Sequence, residues 1–128
     1  MSVRIVRLGT PRLPGEGTRI GTVRRPPRGV PKAQFSTQNW YDVWYPTLAP
    51  SLATMTQGQE AESPAHWSAF ARKYKAEMAA PGPRHAIELL AVLSHTADFS
   101  VGCYCENEER CHRSVLRRLL VERGARVE

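Results

Sequence analysis

The chain has 128 residues, 41% of them apolar and 23% charged, with a formal net charge of +6. Those figures fit a single domain, residues 1–128, with a modest core. They exclude a membrane-spanning helix, because no apolar run reaches bilayer length. Charged and apolar residues alternate from Met1 to Gly9, which is not a signal-peptide pattern, so a cytoplasmic location without membrane contact is expected. The 3 cysteines are odd in number and too tightly spaced for a disulfide framework, leaving reduced thiols, a metal site or a redox role open.

Ser2–Leu8 alternates apolar and basic residues and predicts a first strand. Gly9–Gly17 is rich in glycine and proline and predicts a loop. Thr18–Val23 predicts a second strand, weakened by Gly21. Arg24–Lys32 holds three prolines, one glycine and four basic residues and predicts a basic loop, since proline is excluded from helix interiors. Phe35–Leu52, rich in aromatic residues, predicts a short helix or turn followed by an irregular segment ending in Leu48-Ala49-Pro50-Ser51. Thr56–Glu62 is polar and predicts an exposed loop.

Ser63-Pro64 is a helix-start signal, and Trp67, Phe70, Ala71, Tyr74 and Met78 follow at helical spacing until Pro81-Gly82. Pro83 predicts a further helix to about His95, apolar on nearly every side and therefore tightly buried. In the predicted strand Asp98–Cys105, Phe99, Val101, Cys103 and Cys105 share one face. Glu106–Arg110 is a loop. Val115, Leu116, Leu119 and Leu120 form the core stripe of a last helix that starts at Cys111 and ends near Gly124. Arg126–Glu128 adds a short edge strand. Strands alternating with helices predict a small α/β fold: a single-domain sheet of about three to four strands, largely parallel, packed by helices.

Three segments carry a family resemblance. Val23-Arg24-Arg25-Pro26-Pro27-Arg28-Gly29 is similar to a loop that reads Asp-Arg-Leu-Trp-Pro-Arg-Gly, with Val23 and Pro26 at the acidic and tryptophan positions. Trp44 with Leu48-Ala49-Pro50-Ser51 resembles a tryptophan followed by Leu-Ala-Pro-Ser. Cys105-Glu106 with Cys111-His112-Arg113 resembles a Cys-Glu, then Cys-His-Arg ending. Together they resemble the YeaO-like family, domain of unknown function 488, across nearly the whole chain. The resemblance implies a small α/β domain and no established reaction.

The chemistry concentrates between Cys103 and Arg113, where a strand passes into a helix, a usual place for ligand and catalytic groups. Cys103, Cys105, Cys111 and His112 are a donor set that zinc accepts. Their spacing is not a common zinc-knuckle spacing, however, and adjacent side chains diverge by about 100° on a helix. No resident metal or cofactor is therefore expected. A second reading is an activated thiol: Cys111 sits at a predicted helix start and Cys105 at a strand end, with His112 as acid or base and Glu106 beside them. A phosphatase loop does not fit: it needs one residue more than the four between Cys105 and Arg110, and the loop carboxylates repel phosphate.

The third reading is anion binding. The helix start offers free amides, Arg24, Arg28 and Arg113 offer guanidinium forks, and Trp44, with Trp40 and Tyr41, offers stacking surface. The combined expectation is an enzyme or binding protein for a small phosphorylated or nucleotide-like anion. Its catalytic residues are Cys105, Glu106, Cys111 and His112; its ligand-binding residues are Arg24, Arg28, Arg113 and Trp44. A nucleic-acid-binding module and a metal or redox thiol protein are the alternatives.

Overall fold

A computed structural model describes all residues 1–128. Four strands, β1 (Val3–Arg7), β2 (Thr18–Gly21), β3 (Val43–Trp44) and β4 (Phe99–Cys103), form one sheet in the order β1-β4-β2-β3. Every pairing is parallel, as expected for a small α/β domain. β4 lies in the centre, with Val101 paired to both Ile5 and Ile20. All five of its residues are buried. Residues 126–128 run alongside β1 through a parallel bridge between Val3 and Val127.

Four helices connect and cover the sheet: α1 (Leu52–Gln59), α2 (Pro64–Met78), α3 (Pro81–Leu93) and α4 (His112–Glu122). They bury one sheet face. Val3, Phe99 and Val101 meet Phe70, Tyr74, Met78, Ile87, Leu90, Leu116 and Leu120 there in the main core. The Ser63 side chain caps α2 by accepting from the His66 amide, in line with the Ser63-Pro64 signal.

Several expectations are corrected. Of the segment expected to be an exposed loop at 56–62, residues 56–59 instead complete α1, while 60–62 lie outside it. Ser51 caps that helix, and Glu77 of α2 accepts from the Ser51 amide and from the Ser51 and Thr54 hydroxyls. Gly58 lies so close to Phe70 that an added Cβ would come within 2.7 Å of the ring. This contact with α2 outweighs the polar composition of the segment. The two-residue β3 falls in a stretch expected to be irregular. β2 ends at Gly21, and Thr22 instead uses its amide and hydroxyl on the Gly102 carbonyl. α3 begins at Pro81 rather than Pro83. Both prolines fit in its first turn, where amides lack intrahelical partners in any case. Nor is α3 sealed on every side, because Leu89, Val92 and Leu93 are exposed.

The second sheet face carries no helix. The 8–17 loop covers it, held by the buried pair Glu16–Arg19 at 2.7 Å. Arg19 Nε and Nη2 donate to the Glu16 carboxylate, and Nη1 donates to the Thr10 and Asn39 carbonyls at 2.8 Å each. Ser100 of β4 donates to the same carboxylate at 2.7 Å. Gly17 completes the fit: its φ is +75°, and a Cβ there would lie 1.9 Å from the Asp98 carbonyl oxygen.

Burial alone would raise the Glu16 carboxyl. Hydrogen bonds from Arg19, Ser100 and the Leu13 amide outweigh it and hold the group at about 2, against 4.5 ordinarily. The unfolded chain therefore takes up this proton first. The stability supplied is complete above the unfolded carboxylate range and drains away as pH falls from about 4.5 toward 2. Urea unfolding should show a lower midpoint at pH 3 than at pH 6. Glu16→Gln should cost about 3 kcal/mol at pH 7 and make that acid slope shallower.

Candidate functional site

In a parallel sheet all strand C-termini emerge at one edge, and the loops that follow share one crevice. Leu8–Thr10 follow β1, Val23–Arg28 follow β2, and Tyr104 and Cys105 follow β4. With residues of α1 and α2 and the start of α4, they line a cleft of about 990 Å³.

Its floor is a cysteine cluster. Cys103 ends β4 and is buried; Cys105, two residues on, is exposed. The chain then makes a single turn at Glu108–Arg110, capped by the Asn107 side chain. Cys111 follows with φ −135° and ψ 151°, so it is the extended N-cap of α4 and not part of the helix. Cys103 Sγ lies 3.8 Å from Cys105 Sγ, and Cys111 Sγ lies 3.8 Å from His112 Nδ1. The sulfurs of Cys103 and Cys111 and a His112 ring nitrogen all fall within 4.8 Å of one another. His112 is buried, with its ring 5.3 Å from that of Tyr74. Its Nε2 is 2.8 Å from the Thr22 carbonyl, which only accepts, so Nε2 carries the proton and Nδ1 presents a lone pair.

The three thiols share hydrogen bonds unequally. Cys103 is pushed up, first by its bond to Cys105, then by its bond to Cys111 and by burial. Cys105 is drawn down by the bond from Cys103 and then by Cys111, with the Arg113 charge adding to the effect. Cys111 is drawn down by its bond from Cys103.

The walls are cationic. Arg7, Arg24, Arg25, Arg28 and Arg110 line the cleft, and no aspartate or glutamate does. Arg25, Arg28 and Arg110 are exposed, and their guanidiniums make no ion pair. Trp40 and Tyr104 meet edge to face at 5.9 Å on the wall, and Trp67 and Phe70 contribute apolar surface.

Of the residues singled out from sequence, the cleft brings together Cys105, Cys111, His112, Arg24 and Arg28. Arg113, Trp44 and Glu106 do not line it. Arg113 is buried and donates from Nη2 to the Cys105 carbonyl at 2.6 Å, fastening the loop to α4. Trp44 lies on the edge strand with its indole N–H on the Val23 carbonyl at 2.8 Å. Glu106 is 85% exposed and sits 3.7 Å from Arg7. Arg24 lines the wall, yet its donors are engaged: Nε donates to the Pro50 carbonyl, and Nη2 to those of Pro46 and Ala49. It clamps the Leu-Ala-Pro-Ser segment, whose Leu48 carbonyl also accepts from the Tyr74 hydroxyl.

Sequence reasoning passed over Arg7, Arg25 and Tyr104 as site residues. Arg7 and Tyr104 had a usable signal, since each stands at the C-terminal end of a strand that parallel pairing sends to this edge.

The Arg24 clamp is measurable. Lysine keeps the charge but cannot reach three carbonyls with a planar fork. Arg24→Lys should lower stability by about 2 kcal/mol in chemical denaturation.

A family model described as "Active DUF488-N3 subclade" matches residues 3–124, which includes every residue of the cleft. No curated protein and no solved structure matches the chain.

Proposed function

The chain belongs to the DUF488 family, and from that premise we propose that it is an enzyme or binding protein for a phosphorylated or nucleotide-like anion, held in the cleft above the cysteine cluster. The observation that carries this reading is the lining itself: five arginines and no carboxylate, with Arg25, Arg28 and Arg110 free of any ion pair. Unpaired guanidiniums around a concave site attract an anion and grip phosphate bidentately.

Two further features favour a nucleotide over a bare phosphate. The Trp40 and Tyr104 rings border the cationic wall, and a base stacks on such surfaces. The cleft also has room for a ligand of nucleotide size. Arg28 and Arg110 are the proposed anion grips, since their donors are uncommitted. Arg24 and Arg113 contribute by positioning, one through the Pro46–Pro50 carbonyls and the other through the Cys105 carbonyl. Cys105, Cys111 and His112 form the chemical floor that the bound anion faces, and Glu106 stands outside the mouth beside Arg7.

A thermal-shift series with mononucleotides, sugar phosphates and inorganic phosphate tests this. A ligand at about 100 times its Kd adds about 2.7 kcal/mol, which raises Tm by roughly 10 °C in a chain of this size. Arg28→Glu and Arg110→Glu should each weaken binding at least tenfold, about 1.4 kcal/mol. No shift with any of these anions would overturn the reading. Binding of oligonucleotides alone, with affinity falling steeply as salt rises, would favour a nucleic-acid-binding module instead.

A further inference from the structure

We propose that Cys103, Cys105, Cys111 and His112 hold a zinc ion beneath the floor of the cleft. The inference goes beyond the anion reading and does not rest on it.

The donor set is three sulfurs and one imidazole, which zinc binds in closed tetrahedral sites. Zn–S bonds of about 2.3 Å and Zn–N bonds of about 2.0–2.1 Å give tetrahedron edges of roughly 3.6–3.8 Å. The Cys103–Cys105 sulfur separation is 3.8 Å, and the Cys111 Sγ to His112 Nδ1 separation is also 3.8 Å. Cys103, Cys111 and His112 offer donor atoms within 4.8 Å of one another, and Cys105 joins them through its 3.8 Å contact with Cys103, so closing the shell draws the donors together by about 1 Å.

The backbone removes the objection that neighbours on a helix diverge. Cys111 is extended and His112 is the first helical residue, so the junction turns both side chains into one space. The imidazole is also oriented as a ligand. Nε2–H is spent on the Thr22 carbonyl, the usual outer partner of a metal-bound histidine, and Nδ1 faces the thiols with a free lone pair.

Charge supplies an independent argument. Arg113 is 3% exposed, makes no ion pair, and its Nε has no hydrogen-bond partner. A buried cation requires a counter-charge. Zinc with three thiolates carries a net charge of −1 and supplies it next to the Cys105 carbonyl that Arg113 already holds. Loading the ion forms four coordinate bonds and releases the thiol protons to solvent, with no change of oxidation state. The bound ion then ties the end of β4, the acidic loop and the start of α4 into one unit.

Elemental analysis of the untagged full-length chain should find one zinc per molecule. Cobalt exchanged into the same chain should show tetrahedral visible bands together with thiolate-to-cobalt charge transfer. The cobalt spectrum uses the unaltered sequence, so the test does not depend on any variant folding. Cys103→Ser, Cys111→Ser and His112→Ala should lose stoichiometric metal. Cys105→Ser, which removes the exposed ligand, should keep one metal at least tenfold more weakly and lose roughly one third of the charge-transfer intensity. An octahedral cobalt spectrum, or less than roughly 0.1 equivalent of zinc after incubation with the metal, would overturn the proposal. Arg28→Glu should retain its zinc. Metal retained with no nucleotide-induced shift rejects the anion reading alone, and the reverse pattern rejects the zinc alone.

Discussion

The buried Glu16–Arg19 pair is the interaction on which the architecture turns. Helices cover only one face of the sheet, and the other is closed by a loop with no regular structure of its own. Such a loop leaves backbone carbonyls that need partners. Arg19 supplies them, holding Thr10 and Asn39 with one nitrogen while the rest of its fork grips Glu16. Ser100 ties the same carboxylate to the central strand. Gly9 and Trp40, which pack against each other at the cleft wall, belong to the two segments held this way. A polar interaction on the far side of the sheet thus holds together one wall of the site.

At the opposite edge of the network, arginines divide into two kinds. Arg24 and Arg113 are spent on backbone carbonyls, and their work is to hold the Pro46–Pro50 segment and the loop after β4. Arg25, Arg28 and Arg110 stand in solvent around the cleft with nothing to neutralise them. The loop carboxylates are turned elsewhere: Glu108 pairs with Arg117 at 2.7 Å, and Glu106 with Arg7 at the rim. The acidic loop that argues against phosphate when read as sequence therefore offsets only Arg7 among the cleft arginines and leaves Arg25, Arg28 and Arg110 unpaired.

Periodicity revealed the strong elements because their burial is one-sided. Phe70, Tyr74 and Met78 mark α2, and Leu116 and Leu120 mark α4. It failed where tertiary contact decides the local structure. α1 exists through Ser51, Glu77 and the approach of Gly58 to Phe70, none of which leaves a periodic trace. β3 is only two residues long, too short to show a period. At the site, the clustering of cysteines and His112 was legible because they are close in sequence. Whether an arginine faces the ligand or lashes the backbone was not, since Arg24 and Arg28 look alike in a basic loop. The angle between Cys111 and His112 was likewise hidden, because it depends on which of the two residues begins the helix.

The central position of β4 has a consequence for how the chain acquires its shape. β1 and β2 have no pairing with each other; both hydrogen-bond to a strand that lies some eighty to one hundred residues further on. During synthesis β2 can pair early with β3, but the edges of β1 and β2 that face β4 stay open until Cys103 has left the ribosome. The sheet then assembles by inserting its last strand into its middle, a high-contact-order step. Folding is therefore a late, nearly all-or-none event, and the basic N-terminal segment spends translation with its charges solvated and its hydrogen bonds unmade.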